Sequence, residues 1–176
     1  MKFKNTTIIK TDRLSLHSIG DSDRDSLIDL LKNEEIGKTF MVPDFKSREQ
    51  EDRMFETFKR LSVSDERFVY GIYLDDKLIG FINDVDITDS AVEVGYVIHP
   101  SESCKGYMTE ALKAAVSEIF DSGFSAVKAS AFEGNEASLR VMEKCGMVLS
   151  GEEESVEYRG VTHRCICYER KVGQGS

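Results

Sequence analysis

At 176 residues, of which 40% are apolar, the chain is long enough for one ordinary domain with a core of its own. A formal net charge of −9 argues against a non-specific nucleic-acid binder, which needs a basic footprint; it suits a cationic small substrate, or simply a surface kept acidic for solubility. No apolar run approaches the ~20 residues of a bilayer-spanning helix, Met1 to Lys10 carry no secretory pattern, and the cysteines lack disulfide-scaffold density, so a reducing cytoplasm and no membrane partner are expected.

In chain order, Thr11 to His17 alternates Leu14 and Leu16 with polar residues and reads as a first strand. Asp21 to Asp23 offer N-caps for a helix carrying Leu27, Leu30 and Leu31 to about Lys32. Phe40 to Phe45, apolar around a proline, reads as a loop folded over the core or a substrate. Ser47 and Gln50 have capping-box spacing ahead of a helix with Met54, Phe55, Phe58 and Leu61 on its inner face. Three strands follow, Arg67 to Leu74, Lys77 to Asp86 and Ala91 to Ile98, joined by links too short for a crossover and therefore antiparallel. The helix from Lys105 to Phe120 is long enough to be a crossover, so the strand from Ser125 to Phe132 is expected parallel to the one ending at Ile98. A shorter helix from Asn135 to Cys145 turns Leu139 and Met142 inward. A last hairpin pairs Val148 to Glu157 with Val161 to Arg170 around Arg159-Gly160. Cys165 and Cys167 have the spacing of a metal pair, but no second pair lies at finger spacing; two small core residues on one strand face is the expectation, and no metal. One domain over residues 1–170 is expected, with 171–176 a disordered tail.

Glu93 to Phe120 combine a strand, a small polar loop from Ser101 to Gly106, and a helix start. That combination is an anion site, because the first-turn N–H groups are free and the helix dipole adds partial positive charge.

Five stretches in order resemble the GNAT superfamily of N-acetyltransferases, in its RimJ/RimL-like branch. They are T-D-R-L-S-L at Thr11, E-V-G-Y-V-I-H-P at Glu93, K-G-Y-M-T-E-A-L at Lys105, N-E-A-S-L-R-V-M-E-K-C-G-M at Asn135 and Y-R-G-V-T-H at Tyr158. The resemblance spans about Thr11 to Arg170. It implies an α/β (α+β) fold: a mixed, mostly antiparallel sheet splayed between its fourth and fifth strands and flanked by about four helices. It also implies acetyl-CoA as cofactor and transfer of an acetyl group to a primary amine, on a small molecule or a peptide. A homodimer through the last hairpin is common among look-alikes.

The same resemblance assigns roles. Ser103, Cys104, Lys105, Gly106, Tyr107, Met108 and Thr109 would wrap the pyrophosphate, with Lys144 adding charge. Tyr96, Val97 and Ile98 would pair with the pantetheine arm as an added strand, and Val97 would offer an N–H to the oxyanion. Asn135, also a natural N-cap, and Ser138 would reach the cofactor, with Ser138 or water protonating the leaving thiolate. The family pattern at the phosphate loop is Gln or Arg, Gly, any residue, Gly; here Ser103 and Cys104 stand in its first two places, which removes one glycine's freedom of φ. Many relatives carry a tyrosine acid where this chain has Met142.

Freeing an alkyl ammonium of pKa ~10.4 at neutral pH costs about 4–5 kcal/mol, so a base helps. Glu93 is the first candidate, being out of place on a face with Ala91, Gly95 and Val97; a cross-strand ion pair is the other role open to it. Asp84 and Asp86 are second choices, as bases or as ligands for a cationic amine. Phe40, Tyr158 and His163 are candidates for walls of the acceptor site. A non-catalytic acyl-CoA-binding or regulatory domain is the alternative reading.

Overall fold

The computed structural model describes residues 2–3 and 7–174. Among these described residues eight strands form one sheet in the order β1-β2-β3-β4-β5-β6-β8-β7. They are β1 (Ile9–Lys10), β2 (Leu14–His17), β3 (Val69–Leu74), β4 (Lys77–Ile87), β5 (Ala91–Ile98), β6 (Ala126–Phe132), β7 (Val148–Tyr158) and β8 (Val161–Lys171). Five α-helices accompany them: α1 (Arg24–Lys32), α2 (Glu34–Gly37), α3 (Arg48–Leu61), α4 (Tyr107–Asp121) and α5 (Glu136–Lys144). The mixed, mostly antiparallel architecture is the one expected. It adds the two-residue β1 and the single-turn α2, both too short to leave a periodic signature.

Local chemistry accounts for the boundaries. Ser47 Oγ accepts from the Gln50 N–H at 3.3 Å, while the Gln50 side chain reaches one residue further back than a capping box requires, accepting from the Lys46 N–H at 2.7 Å. At Arg159-Gly160 both residues have positive φ, +52° and +74°, the conformation that matches the twist of a two-residue hairpin. β8 runs one residue past the boundary expected at 170, and the Val172 N–H still donates to the Ser125 carbonyl, so the sheet holds the start of the expected tail. Residues 175–176 of that tail lie outside the described residues.

The sheet separates two apolar layers. On one side α4 covers the strands through Met108, Ala111, Leu112, Ala115, Val116 and Ile119. On the other, α1 and α3 bring Leu27, Leu30, Leu31 and Phe55 against Tyr73, Leu78, Phe81 and Val97. Cys165 and Cys167 are buried on one face of β8, and all four cysteines are free thiols. Among the described residues no helix is long and apolar enough to cross a membrane.

One feature of the sheet makes the site. β5 and β6 run parallel and pair only through Ala91↔Ala126, Val92↔Val127 and Glu93↔Lys128. Beyond Glu93 the two strands part, and a cleft opens between them. This is the expected split; β5 and β6 are the fourth and fifth strands of the sequence reading, which did not contain β1.

Candidate active site

The cleft has a volume of about 680 Å³. Its walls bring together most of the expected cofactor residues: Tyr96, Val97 and Ile98 from β5; Ser103, Cys104 and Gly106 from the loop; Tyr107, Met108 and Thr109 from α4; Asn135, Ser138 and Lys144 from α5 and its cap. Phe40 lines it as well, and packs edge-on against Phe81. Lys105 is not a wall residue: its ammonium is 2.8 Å from Glu102.

The loop leaves a row of backbone donors unspent. The Glu102 and Ser103 amides donate to the carbonyls of His99 and Pro100, and the Ser101 amide to His99 Nδ1. From Cys104 to Thr109 the backbone N–H groups have no acceptor among the described residues, and the first bond of the helix runs from the Glu110 N–H to the Gly106 carbonyl at 3.1 Å. Six successive donors are thus available beside the positive end of a fifteen-residue helix. Gly106 has φ +81°, as the turn into α4 requires. Cys104 also has a left-handed backbone, φ +60°, in the place where the family pattern has glycine. The loop therefore keeps the glycine conformation without the glycine, at a cost of about 1 kcal/mol.

What holds the loop in place was not legible beforehand. The T-D-R stretch reads as the start of the first strand and as one of the five matched stretches, and neither reading ties it to the loop. In the structure Glu110 of α4 accepts from the Thr11 hydroxyl at 2.6 Å, the Arg13 N–H at 2.8 Å and Arg13 Nε at 2.8 Å. Burial pushes the Glu110 carboxyl up, but these donors hold it below the usual range. Arg13 Nη1 also donates to the Lys105 carbonyl at 2.9 Å, and the guanidinium lies 4.5 Å from the Tyr107 ring centroid. Arg13 thus pins the loop by its Lys105 carbonyl and takes up none of its amides. Arg13→Ala is expected to weaken CoA binding about tenfold, the loss of roughly one charged hydrogen bond, while leaving the melting temperature nearly unchanged; calorimetric titration with CoA checks both halves of this statement when paired with a thermal melt.

The strand edge has a definite polarity. The His99 N–H donates to the Ile79 carbonyl at 2.8 Å, which fixes the phase of the β4–β5 ladder. With Phe81↔Val97 and Ile82↔Tyr96 in register, Phe81 and Val97 form a hydrogen-bonded pair and Tyr96 a non-bonded one. The Val97 N–H, expected as an oxyanion donor, is therefore turned toward β4. The N–H groups of Tyr96 and Ile98 are the ones that face the split.

Asn135 caps α5, its Oδ1 accepting from the Ser138 N–H at 3.3 Å. The Ser138 hydroxyl is 2.8 Å from the Tyr96 hydroxyl, which also lies 3.2 Å from the Ser138 carbonyl. Burial pushes the Tyr96 phenol up, so it stays protonated and serves as a hydrogen-bonding partner of Ser138.

The carboxylates fall into different places. Asp84 is 3% exposed; its oxygens accept from the Phe68 N–H at 2.7 Å and from Arg67 Nε at 2.6 Å, so it is committed to the fold and not to an amine. Glu93 and Asp86 line a second cavity of about 790 Å³ behind the fork, with Glu152, Glu153, Glu154 and Glu169. Tyr158 and His163 are not cleft residues. His163 stacks on Phe132 with centroids 4.2 Å apart, and the Tyr158 hydroxyl accepts from the Val42 N–H at 3.4 Å, holding the Phe40–Phe45 loop. His99 is also occupied, with Asp29 3.1 Å from Nε2.

Comparison with known proteins agrees with this geometry. Residues 13–148 match the acetyltransferase (GNAT) domain model. The uncharacterized N-acetyltransferase YoaA of Bacillus subtilis (strain 168) is 31% identical over 160 residues, covering 88% of this chain and 90% of that protein. Among solved structures, the ribosomal L7/L12 alpha-N-protein acetyltransferase RimL in complex with coenzyme A superposes with a TM-score of 0.83 at 20% identity, over 96% of this chain and 100% of that one. The microcin C7 self-immunity acetyltransferase MccE, in complex with acetyl-CoA and AMP, gives 0.78 at 18% identity, over 92% and 94%. An unspent row of helix-start amides, an open strand edge at a parallel fork and a domain match over most of the length lead to one assignment: the chain belongs to the GNAT family of acetyltransferases, enzymes that use acetyl-CoA.

Proposed function

We propose that the protein transfers an acetyl group from acetyl-CoA directly to a primary amine of a small molecule or a peptide N-terminus, in a ternary complex. The observation that carries this reading is the run of free amides from Cys104 to Thr109 next to the open edge of β5. The residues fit the cofactor: the amides suit its pyrophosphate, and the edge of β5 suits an amide-bearing arm that adds as a strand. Bound acetyl-CoA supplies an activated acetyl thioester.

The chain's own groups do the rest. The Ile98 N–H holds the arm. The Tyr96 N–H, closer to the fork, donates to the developing oxyanion in this reading. Asn135 caps α5 through Oδ1, which leaves its Nδ2 for the cofactor. Ser138, backed by Tyr96, donates a proton to the departing thiolate, the task that Met142 cannot perform. Lys144 adds charge at the cleft margin. Glu93 accepts the ammonium proton. Burial raises the Glu93 carboxyl above its ordinary range, the Ser130 hydroxyl pulls it back, Glu154 and Asp86 raise it, and Lys128 lowers it. A carboxylate displaced toward neutrality is better matched to this task than an ordinary one.

Thiol release from acetyl-CoA, measured over a peptide with N-terminal serine, a polyamine and an aminoglycoside, tests the reading. Turnover with at least one of them, together with CoA binding, is the expected result. CoA binding without any turnover would favour the regulatory alternative, and no binding at millimolar CoA would end the proposal.

A further inference from the structure

Among the described residues, Ser130 of β6 alone lines both the cofactor cleft and the carboxylate-lined cavity behind it. Its position follows from the register. Glu93↔Lys128 is the last parallel pair, so Gly95 and Ser130 stand level two residues beyond it, at the apex of the fork. Gly95 has no side chain to interpose, and a Cβ there would meet Phe40 at 3.2 Å. The Ser130 hydroxyl lies 3.0 Å from Glu93 Oε1 and 3.4 Å from Cys167 Sγ. Its single proton favours the carboxylate, the stronger acceptor. Glu93 itself lines only the rear cavity, so it meets the cleft through this hydroxyl.

We propose that Ser130 relays the proton of the acceptor ammonium to Glu93. This rests on the reading of Glu93 as the base. An N–H bond of the ammonium breaks and its proton passes to a lone pair of Ser130 Oγ. In the same step the original Ser130 O–H bond breaks and that proton passes to Glu93 Oε1. The products are a neutral amine, an unchanged serine and a protonated glutamate, with charge and atoms conserved. The groups around Glu93 are Asp86 from β4, Lys128 and Ser130 from β6, Glu154 from β7 and Cys167 from β8. Lys128 is held 2.7 Å from Glu152 rather than on Glu93, so no cation neutralises the receiving carboxylate at contact distance among the described residues. The geometry also explains why an acid is tolerated on this face of β5. It is not part of an ion pair but the far end of a path of one hydroxyl from the cleft.

The test uses the full chain, acetyl-CoA and a panel of simple alkyl amines, a polyamine, an aminoglycoside and the N-terminal-serine peptide, with kcat and kcat/KM measured across pH for wild type, Ser130→Ala, Ser130→Thr and Glu93→Gln. Expected are a loss of roughly 100-fold in kcat for Ser130→Ala, substantial recovery for Ser130→Thr, and disappearance of the acidic limb of kcat/KM in Glu93→Gln. A readout independent of turnover is the Glu93 carboxyl titration, followed by carbon NMR, which moves upward in Ser130→Ala because the donor to the charged form is gone. If Glu93→Gln removes the acidic limb while Ser130→Ala keeps both rate and limb, the relay is overturned and the base survives. If Ser130→Thr is as slow as Ser130→Ala with the limb unmoved, the serine only packs, and the relay is again overturned. An unchanged Glu93→Gln profile, or no transfer to any amine, overturns the base and the relay together.

Discussion

Asp84→Ala is expected to destabilise the protein by about 3–5 kcal/mol, the usual result of breaking a buried ion pair by removing one partner. Two things are lost. The Phe68 N–H, on a residue with no exposed surface, keeps its place and loses its acceptor at 2.7 Å; a buried donor left unsatisfied costs about 1–3 kcal/mol by itself. Arg67 loses a contact of 2.6 Å, although its side chain is 43% exposed and rehydrates, which places the expected loss toward the lower end of the range. For a chain of this length such a loss lowers the melting temperature by roughly 10 °C. Asp84→Asn is expected to fall between the two: its carbonyl still accepts from Phe68, but its amide faces Arg67 with a donor. A variant series in which Ala and Asn melt within a degree of wild type, while acetyl transfer is lost, would return Asp84 to the substrate site.

The two carboxylates Asp84 and Asp86 show where sequence reading stopped. Both were legible as acids on a strand next to the cofactor strand. A register shift between them, against Val94 and Glu93 of β5, sends Asp84 into the α4 layer and turns Asp86 with Glu93 to the opposite face. A bulge adds one residue and flips the face of everything beyond it, and no residue type in N-D-V-D announces it. The order of the long strands and helices, by contrast, was carried by alternation, helical spacing and caps, each a local signal. The same holds for the cleft walls: the residues of the loop and of α5 were found by resemblance and then assembled by the fold. Arg13 was missed because its partners, Glu110 and Lys105, lie more than ninety positions away. Tyr96 was assigned only to the backbone edge, since its hydroxyl meets Ser138 only after β5 and α5 have docked. The direction of each N–H along β5 depends on the phase of its pairing with β4, which residue identity does not encode; hence Val97 gave way to Tyr96 and Ile98 as donors to the cleft.

That same pairing makes Gly80 the position where a single methyl group is most damaging. A Cβ at Gly80 would stand 2.3 Å from the Val97 carbonyl oxygen and 3.1 Å from the Ile98 Cα, both backbone atoms of β5. Neither can rotate away, so the strand that offers its edge to the cofactor has to move. Gly80→Ala is expected to cost about 3 kcal/mol, the upper end of ordinary overpacking, and to weaken CoA binding as well, because the N–H groups of Tyr96 and Ile98 shift with the backbone. Gly95→Ala is the control. It adds the same atom on β5 itself, but that atom meets the side chains of Phe40 at 3.2 Å and Val85 at 3.3 Å, which can yield by a few tenths of an ångström. Thermal melts and CoA titrations of the two variants should therefore separate: stability and affinity fall together at Gly80, and neither falls as far at Gly95. Equal losses at both positions would mean that β5 tolerates displacement, and that the phase of its amides does not govern how the cofactor is held.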